Sequence, residues 1–137
     1  MKKIFFAFFA IAFFTCNEAE TKKTANTSMD VGRDFIRATL DGNFKDAETL
    51  LLKDSINTQL FERYEKYYTN LSADIKDGYK KASYTINKFD ESQNDSTVII
   101  NYSNTYMKQP QNIKLIKKDK QWGVDFKYTT GDTSISK

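Results

Sequence analysis

The sequence predicts an α+β fold, with about three N-terminal helices packed on an antiparallel sheet of about four strands. Two patterns carry that expectation. Apolar residues recur with helical spacing from residue 29 to about residue 78, and beyond Lys81 the spacing drops to two, the strand period. The alternating runs are separated by short polar turns, which suits neighbouring antiparallel strands rather than crossovers. A chain of 137 residues allows one such domain.

Ahead of the domain, Met1-Lys2-Lys3 forms a short positive head, and an unbroken apolar run of 11 residues follows over 4–14. That run is shorter than the ~20 residues a bilayer-spanning helix needs. It fits the apolar stretch of a secretory signal peptide. Phe13-Phe14-Thr15-Cys16 then resembles a bacterial lipoprotein box, with Phe13 and Thr15 where such boxes usually carry Leu and a Gly or Ala. The resemblance implies removal of residues 1–15 and a thioether-linked diacylglycerol on Cys16, so that the mature chain is membrane-anchored in the bacterial cell envelope. Ala10-Ile11-Ala12 offers an ordinary cleavage site as the alternative, which would leave a secreted soluble protein. One acyl chain holds a protein only marginally, whereas two or three on Cys16 make retention effectively permanent. Cys16 is the only cysteine, which rules out an internal disulfide.

Loss of the signal removes Lys2 and Lys3 and takes the formal net charge from +3 to +1. Without a concentrated basic stripe, nothing here supports nucleic-acid binding. Residues 17–28 contain no apolar side chain larger than Ala and cannot bury surface, so 16–28 read as a lipidated cysteine and a flexible tether. Fully extended, those twelve residues reach ~40 Å.

The domain is expected over residues 29–128. Ser28 is a helix cap, with Val31, Phe35, Ala38 and Thr39 on one face, and Gly42 is suited to end that helix in the left-handed conformation. Asn43 caps a second helix bearing Phe44, Ala47, Leu50 and Leu51. A third starts near Asp54-Ser55 and carries the stripe Ile56, Leu60, Tyr64, Tyr67, Tyr68, Leu71 and Ile75, with Gly78 as its stop and a potential break at Asn70-Leu71-Ser72. Strands are expected at 82–90 and at 96–107, where Val98, Ile100, Tyr102 and Tyr106 share a face, with a polar turn at 91–95. Ile113 and Leu115 mark a third strand, and Trp122, Val124, Phe126 and Tyr128 a fourth. The tail, 129–137, lacks apolar anchors and is expected to fray.

The turn Asp41-Gly42-Asn43-Phe44-Lys45-Asp46-Ala47 resembles the signature turn of the nuclear-transport-factor-2-like superfamily. The hairpin Lys117-Lys118-Asp119-Lys120-Gln121-Trp122-Gly123-Val124 resembles the ending of an uncharacterised bacterial lipoprotein branch of that group, with Lys120 in place of its glycine. The resemblance implies a cone-shaped domain whose curved sheet closes over the helices and leaves a cavity at the wide end. Because superfamily members often pair through their sheets, it also makes a homodimer through the sheet an expectation.

That cavity is the candidate site. Phe35, Tyr64, Tyr67, Tyr68, Tyr84, Tyr102, Tyr106 and Trp122 are the candidate lining residues, since tyrosine offers an apolar ring with a polar tip. The same rings equally suit a plain core between helices and sheet. The chain has no histidine, which excludes the Asp–His scheme the resemblance brings to mind. A Tyr–carboxylate isomerase scheme needs a carboxylate on an apolar face, and Asp90, Asp95, Asp119 and Asp125 all fall in turns or on the polar face. No catalytic residue, metal site or cofactor is expected. The leading expectation is a membrane-anchored lipoprotein whose domain binds a small apolar ligand or an envelope protein partner. The alternatives are an isomerase-like enzyme or a purely structural domain.

Overall fold

The computed structural model describes residues 26–129. The expected signal peptide, Cys16, most of the tether and the tail beyond residue 129 lie outside the described residues. Among the described residues no helix is long and apolar enough to cross a membrane.

Helix α1 (Ser28–Asp41) begins one residue earlier than Ser28 as cap would allow. Thr27 is the N-cap, and it exchanges side-chain hydrogen bonds with Asp30 in a capping box. The last two residues assigned to the tether therefore belong to the domain. Gly42 ends α1 at φ 73°, where a side chain would be strained, and the Tyr68 ring packs against the space a Cβ would occupy. Asn43 caps α2 (Phe44–Thr49). Asp54 caps α3 (Ser55–Thr69) by accepting from Ile56 N and Asn57 N. The expected third helix breaks at Asn70, and Ser72 caps a separate α4 (Ala73–Lys81), giving four helices before the sheet among the described residues. Gly78 is a correction: it lies inside α4 and does not stop it. Its missing side chain makes room for the Tyr106 ring.

The sheet is an antiparallel meander, β1 (Tyr84–Glu91), β2 (Thr97–Asn104), β3 (Gln111–Lys118) and β4 (Gln121–Val124), in the order β1-β2-β3-β4. A bulge interrupts the β1–β2 register between Ile86 and Lys88. The free edge of β4 is extended by a parallel bridge to Leu51, with Leu52 N donating to Val124 O and Val124 N to Leu50 O, both at 2.8 Å. Strand β2 alternates as its period demands: Val98, Ile100, Tyr102 and Asn104 are buried, and the residues between them are half-buried. On the opposite face, Asn87, Asn101 and Asn112 link three strands through side-chain amides at 2.9 and 2.7 Å. The helices therefore cover the inward face, and one core joins Phe35, Ile36 and Phe44 of α1 and α2 to Phe61 of α3 and to Val98, Ile100, Ile113, Leu115 and Val124 of the sheet. Arg37 ties α1 to the end of α4, held bidentately by Asp41 and donating to Ala82 O at 2.9 Å.

Two strand expectations fail, each for a local reason. Strand β2 stops at Asn104 because its Oδ1 accepts from Tyr106 N (3.1 Å) and Met107 N (2.8 Å), folding 105–107 into a turn. Tyr106 thus leaves the strand face. Strand β4 stops at Val124, and Phe126 and Tyr128 lie in a short helix, α5 (Phe126–Thr129). Buried Asn57 of α3 accepts from Lys127 N at 3.0 Å and holds the first turn of α5 in place.

Candidate ligand cavity

Between the helices and the end of the sheet lies a partly open cavity of about 650 Å³, within the usual range for small-molecule sites. Helix α1 contributes Phe35, Thr39 and Leu40, and α3 contributes Tyr64 and Tyr67. Tyr79 comes from α4, and Tyr102 and Asn104 come from the inward face of β2. The turn after β2 adds Met107 and Pro110, β3 adds Gln111, and α5 closes the wall with Phe126, Tyr128 and Thr129. Helix α5 is therefore part of the site, and its docking by Asn57 helps shape the cavity.

Of the eight residues expected to line a cavity, Phe35, Tyr64, Tyr67 and Tyr102 do so. The other four lie elsewhere. Tyr68 points to Gly42, with its ring 5.0 Å from Phe44 and 5.9 Å from Tyr79. Tyr84 sits half-buried on edge strand β1. Tyr106 leaves the strand with the Asn104 turn and stacks edge-on against Tyr79 at 4.8 Å. Trp122 lies at the far end of β4, under Lys117 Nζ at 5.6 Å.

Sequence reasoning missed Tyr79, Asn104, Gln111 and the α5 residues. Asn104 carried a usable signal, since it continues the inward series Val98, Ile100, Tyr102 and is the polar member of it. Tyr79 had none, because it lies beyond the helix break.

None of the described lining residues carries a carboxylate, an ammonium or a guanidinium. Burial, reinforced by the neighbouring Tyr79, Tyr68 and Tyr67, pushes the Tyr64 phenol up to about 12. Burial raises Tyr102 further, and also raises Tyr79. These phenols therefore stay protonated at neutral pH and can donate and accept hydrogen bonds. Tyr102 donates to Gln111 Oε1 at 2.7 Å, and Gln111 Nε2 lies 3.1 Å from Met107 Sδ.

The expectation that Asp125 lies on the polar face is corrected, because the residue is buried. It lies outside the cavity wall, with its carboxylate 3.8 Å from Lys114 Nζ and 3.7 Å from Lys127 Nζ. Lys127 also reaches Asp54 at 3.0 Å. Partial burial opposes ionisation of Asp54, but hydrogen bonds from Asn57 N and Lys127 outweigh it and hold the carboxyl below its ordinary value. This ion network pins α5 to α3 and β3.

Together these features define an α+β domain with an uncharged, tyrosine-rich cavity between helices and sheet. No protein-family model and no curated protein matches the chain. Among solved structures it is similar to an NTF2-like protein of unknown function from Cytophaga hutchinsonii, with a TM-score of 0.42 and 18% identity, over 74% of this chain and 91% of that one.

Proposed function

We propose that this chain is a cell-envelope lipoprotein whose nuclear-transport-factor-2-like domain binds a small, uncharged, largely apolar ligand without transforming it. The carrying observation is the cavity itself, about 650 Å³ and walled by aromatic rings, amides and hydroxyls with no ionised side chain. Such a wall stabilises a neutral ligand by burial of apolar surface and penalises a charged one, which would lose its hydration without an ionic partner. The succession of helices before an antiparallel meander, and the Gly42–Asn43 helix turn, support the superfamily reading. The anchor rests on the apolar run at 4–14 and on Cys16 directly after it.

Each half has its own test. Labelled palmitate should enter the wild-type chain and not Cys16→Ser, and globomycin should leave the precursor unprocessed. Equal labelling of both chains would refute the anchor. For the cavity, the neutral dye N-phenyl-1-naphthylamine should brighten with the wild type and not with Thr39→Phe, whose ring fills the wall of α1. Equal brightening would place the dye elsewhere and refute the cavity reading.

A further inference from the structure

We infer that the mouth of this cavity docks on the surface of a lipid bilayer, so that an apolar ligand passes between membrane and cavity without crossing water. This rests on the anchored, ligand-binding reading and adds the face that meets the membrane. Five large apolar side chains stand exposed among the described residues: Tyr67, Phe89, Tyr106, Met107 and Tyr128. Scattered singly, they would need no explanation. Four of them gather in one place. Tyr67 of α3, Met107 of the turn after β2 and Tyr128 of α5 all line the cavity. A wall residue that is also exposed stands at the opening, and Tyr67 is 62% exposed. Tyr106 joins them by packing on Tyr79, itself a wall residue, with ring centroids 4.8 Å apart. The missing side chain of Gly78 gives it the room.

Cations flank this group. Lys108 follows Met107 in the same exposed turn, and Arg63 stands one helical turn before Tyr67 on α3. Lys114 Nζ lies 5.6 Å from the centre of the Tyr128 ring. No wall residue is acidic, and Asp125, the carboxylate paired with Lys114, is buried. Tyrosine is favoured at a membrane–water interface, where its ring enters the apolar boundary and its hydroxyl stays with the headgroups. Lysine and arginine beside it then meet anionic headgroups. A second copy is the poorer occupant, because a two-fold contact through this patch sets like cations together with no carboxylate on the wall to pair them. The chain ahead of the domain also brings a bilayer within reach. Ten peptide steps lead from Cys16 to Asn26, a span of up to ~35 Å. A domain of this size has a radius of gyration of about 13 Å. Lipid on Cys16 therefore leaves enough chain for the mouth to turn onto the membrane.

The test places an environment-sensitive NBD fluorophore on the lipidated mature chain, reconstituted in phosphatidylethanolamine–phosphatidylglycerol vesicles with or without a doxyl-labelled phospholipid. The label is attached through Tyr67→Cys, Met107→Cys or Gln121→Cys, one variant at a time. The thioether on Cys16 leaves the introduced thiol as the one that reacts. Gln121 is exposed and pairs with Lys118, at the end of β3 opposite Gln111 and about 23 Å from it at the strand rise. Labels at positions 67 and 107 should emit at shorter wavelength on the vesicles and be quenched by the doxyl lipid. The label at position 121 should do neither. Tyr67 and Met107 are exposed and lie on different elements, so one decides the matter even where the other variant folds poorly.

If the chain floats with the vesicles while positions 67 and 107 are as sheltered from the doxyl lipid as position 121, docking is overturned and the anchor and the cavity stand. A spectral shift that grows with protein density and ignores the doxyl lipid would give the face to a second copy, and would overturn docking as well. If the chain does not float with the vesicles, the anchor falls, and this inference falls with it.

Discussion

Replacing Asn57 with Leu tests how the cavity wall is assembled. Asn57 is fully buried, and three hydrogen bonds converge on its amide. Oδ1 accepts from Lys127 N at 3.0 Å, and Nδ2 donates to Asp54 Oδ2 at 2.8 Å and to Leu52 O at 3.3 Å. Leu52 O keeps a second donor in Asp54 N, and Asp54 Oδ2 keeps Lys127 Nζ. Lys127 N would lose the acceptor that docks α5. Three lost hydrogen bonds at about 1 kcal/mol each set the loss. The apolar leucine offsets part of this by burial. A net destabilisation of about 2 kcal/mol remains, or a fall in Tm of roughly 10 °C for a domain near 100 residues. Trp122 is the chain's only tryptophan, so its fluorescence reports urea unfolding without added probes. Amide hydrogen exchange adds a local readout, since Lys127 N–H should exchange faster in Asn57→Leu than the β2–β3 ladder does. A variant within about 0.5 kcal/mol of wild type, with Lys127 still protected, would refute the role given to Asn57.

Phe61→Ala should cost about 3–5 kcal/mol in the same unfolding assay, because Phe61 is 2% exposed and its ring lies 5.1 Å from Phe126 and 5.8 Å from Phe44. Gly42→Ala should cost about 2 kcal/mol, from a side chain held at positive φ and a Cβ pressed on the Tyr68 ring. At high pH, absorbance near 295 nm should show Tyr64 and Tyr102 titrating last, because burial raises both above the ordinary phenol value. Their folded values exceed the unfolded value of about 10, so the stability they contribute is complete below pH ~10 and is lost as pH rises beyond it. Unfolding at acid pH follows the opposite sign. Asp54 is lowered in the folded state, so Asp54→Asn should weaken the dependence of stability on pH below about 4, as measured by urea midpoints.

Local signals were legible wherever the physics is local. The change from a period of 3.6 to a period of two placed the helices ahead of the sheet, and the caps at Gly42 and Asn43 and the helix start near Asp54 could be read from single residues. Each depends on contacts within a few positions along the chain. Alternation along β2 also put Tyr102 on the inward face. The same alternation, carried too far, kept Tyr106, Phe126 and Tyr128 in strands they do not enter. A hydrophobic period cannot register that Asn104 caps a turn, nor that Asn57 accepts from a backbone N–H 70 residues away. The identity of the cavity wall was decided at that longer range. Tyr79 reaches it because the third helix breaks, Thr129 because α5 is docked by Asn57 and Lys127, and Asn104 because its amide is oriented by the turn that follows it. Periodicity reports which face of an element is apolar. Which side chains from six elements then meet around one space depends on how those elements pack, and no single stretch of the chain holds that information.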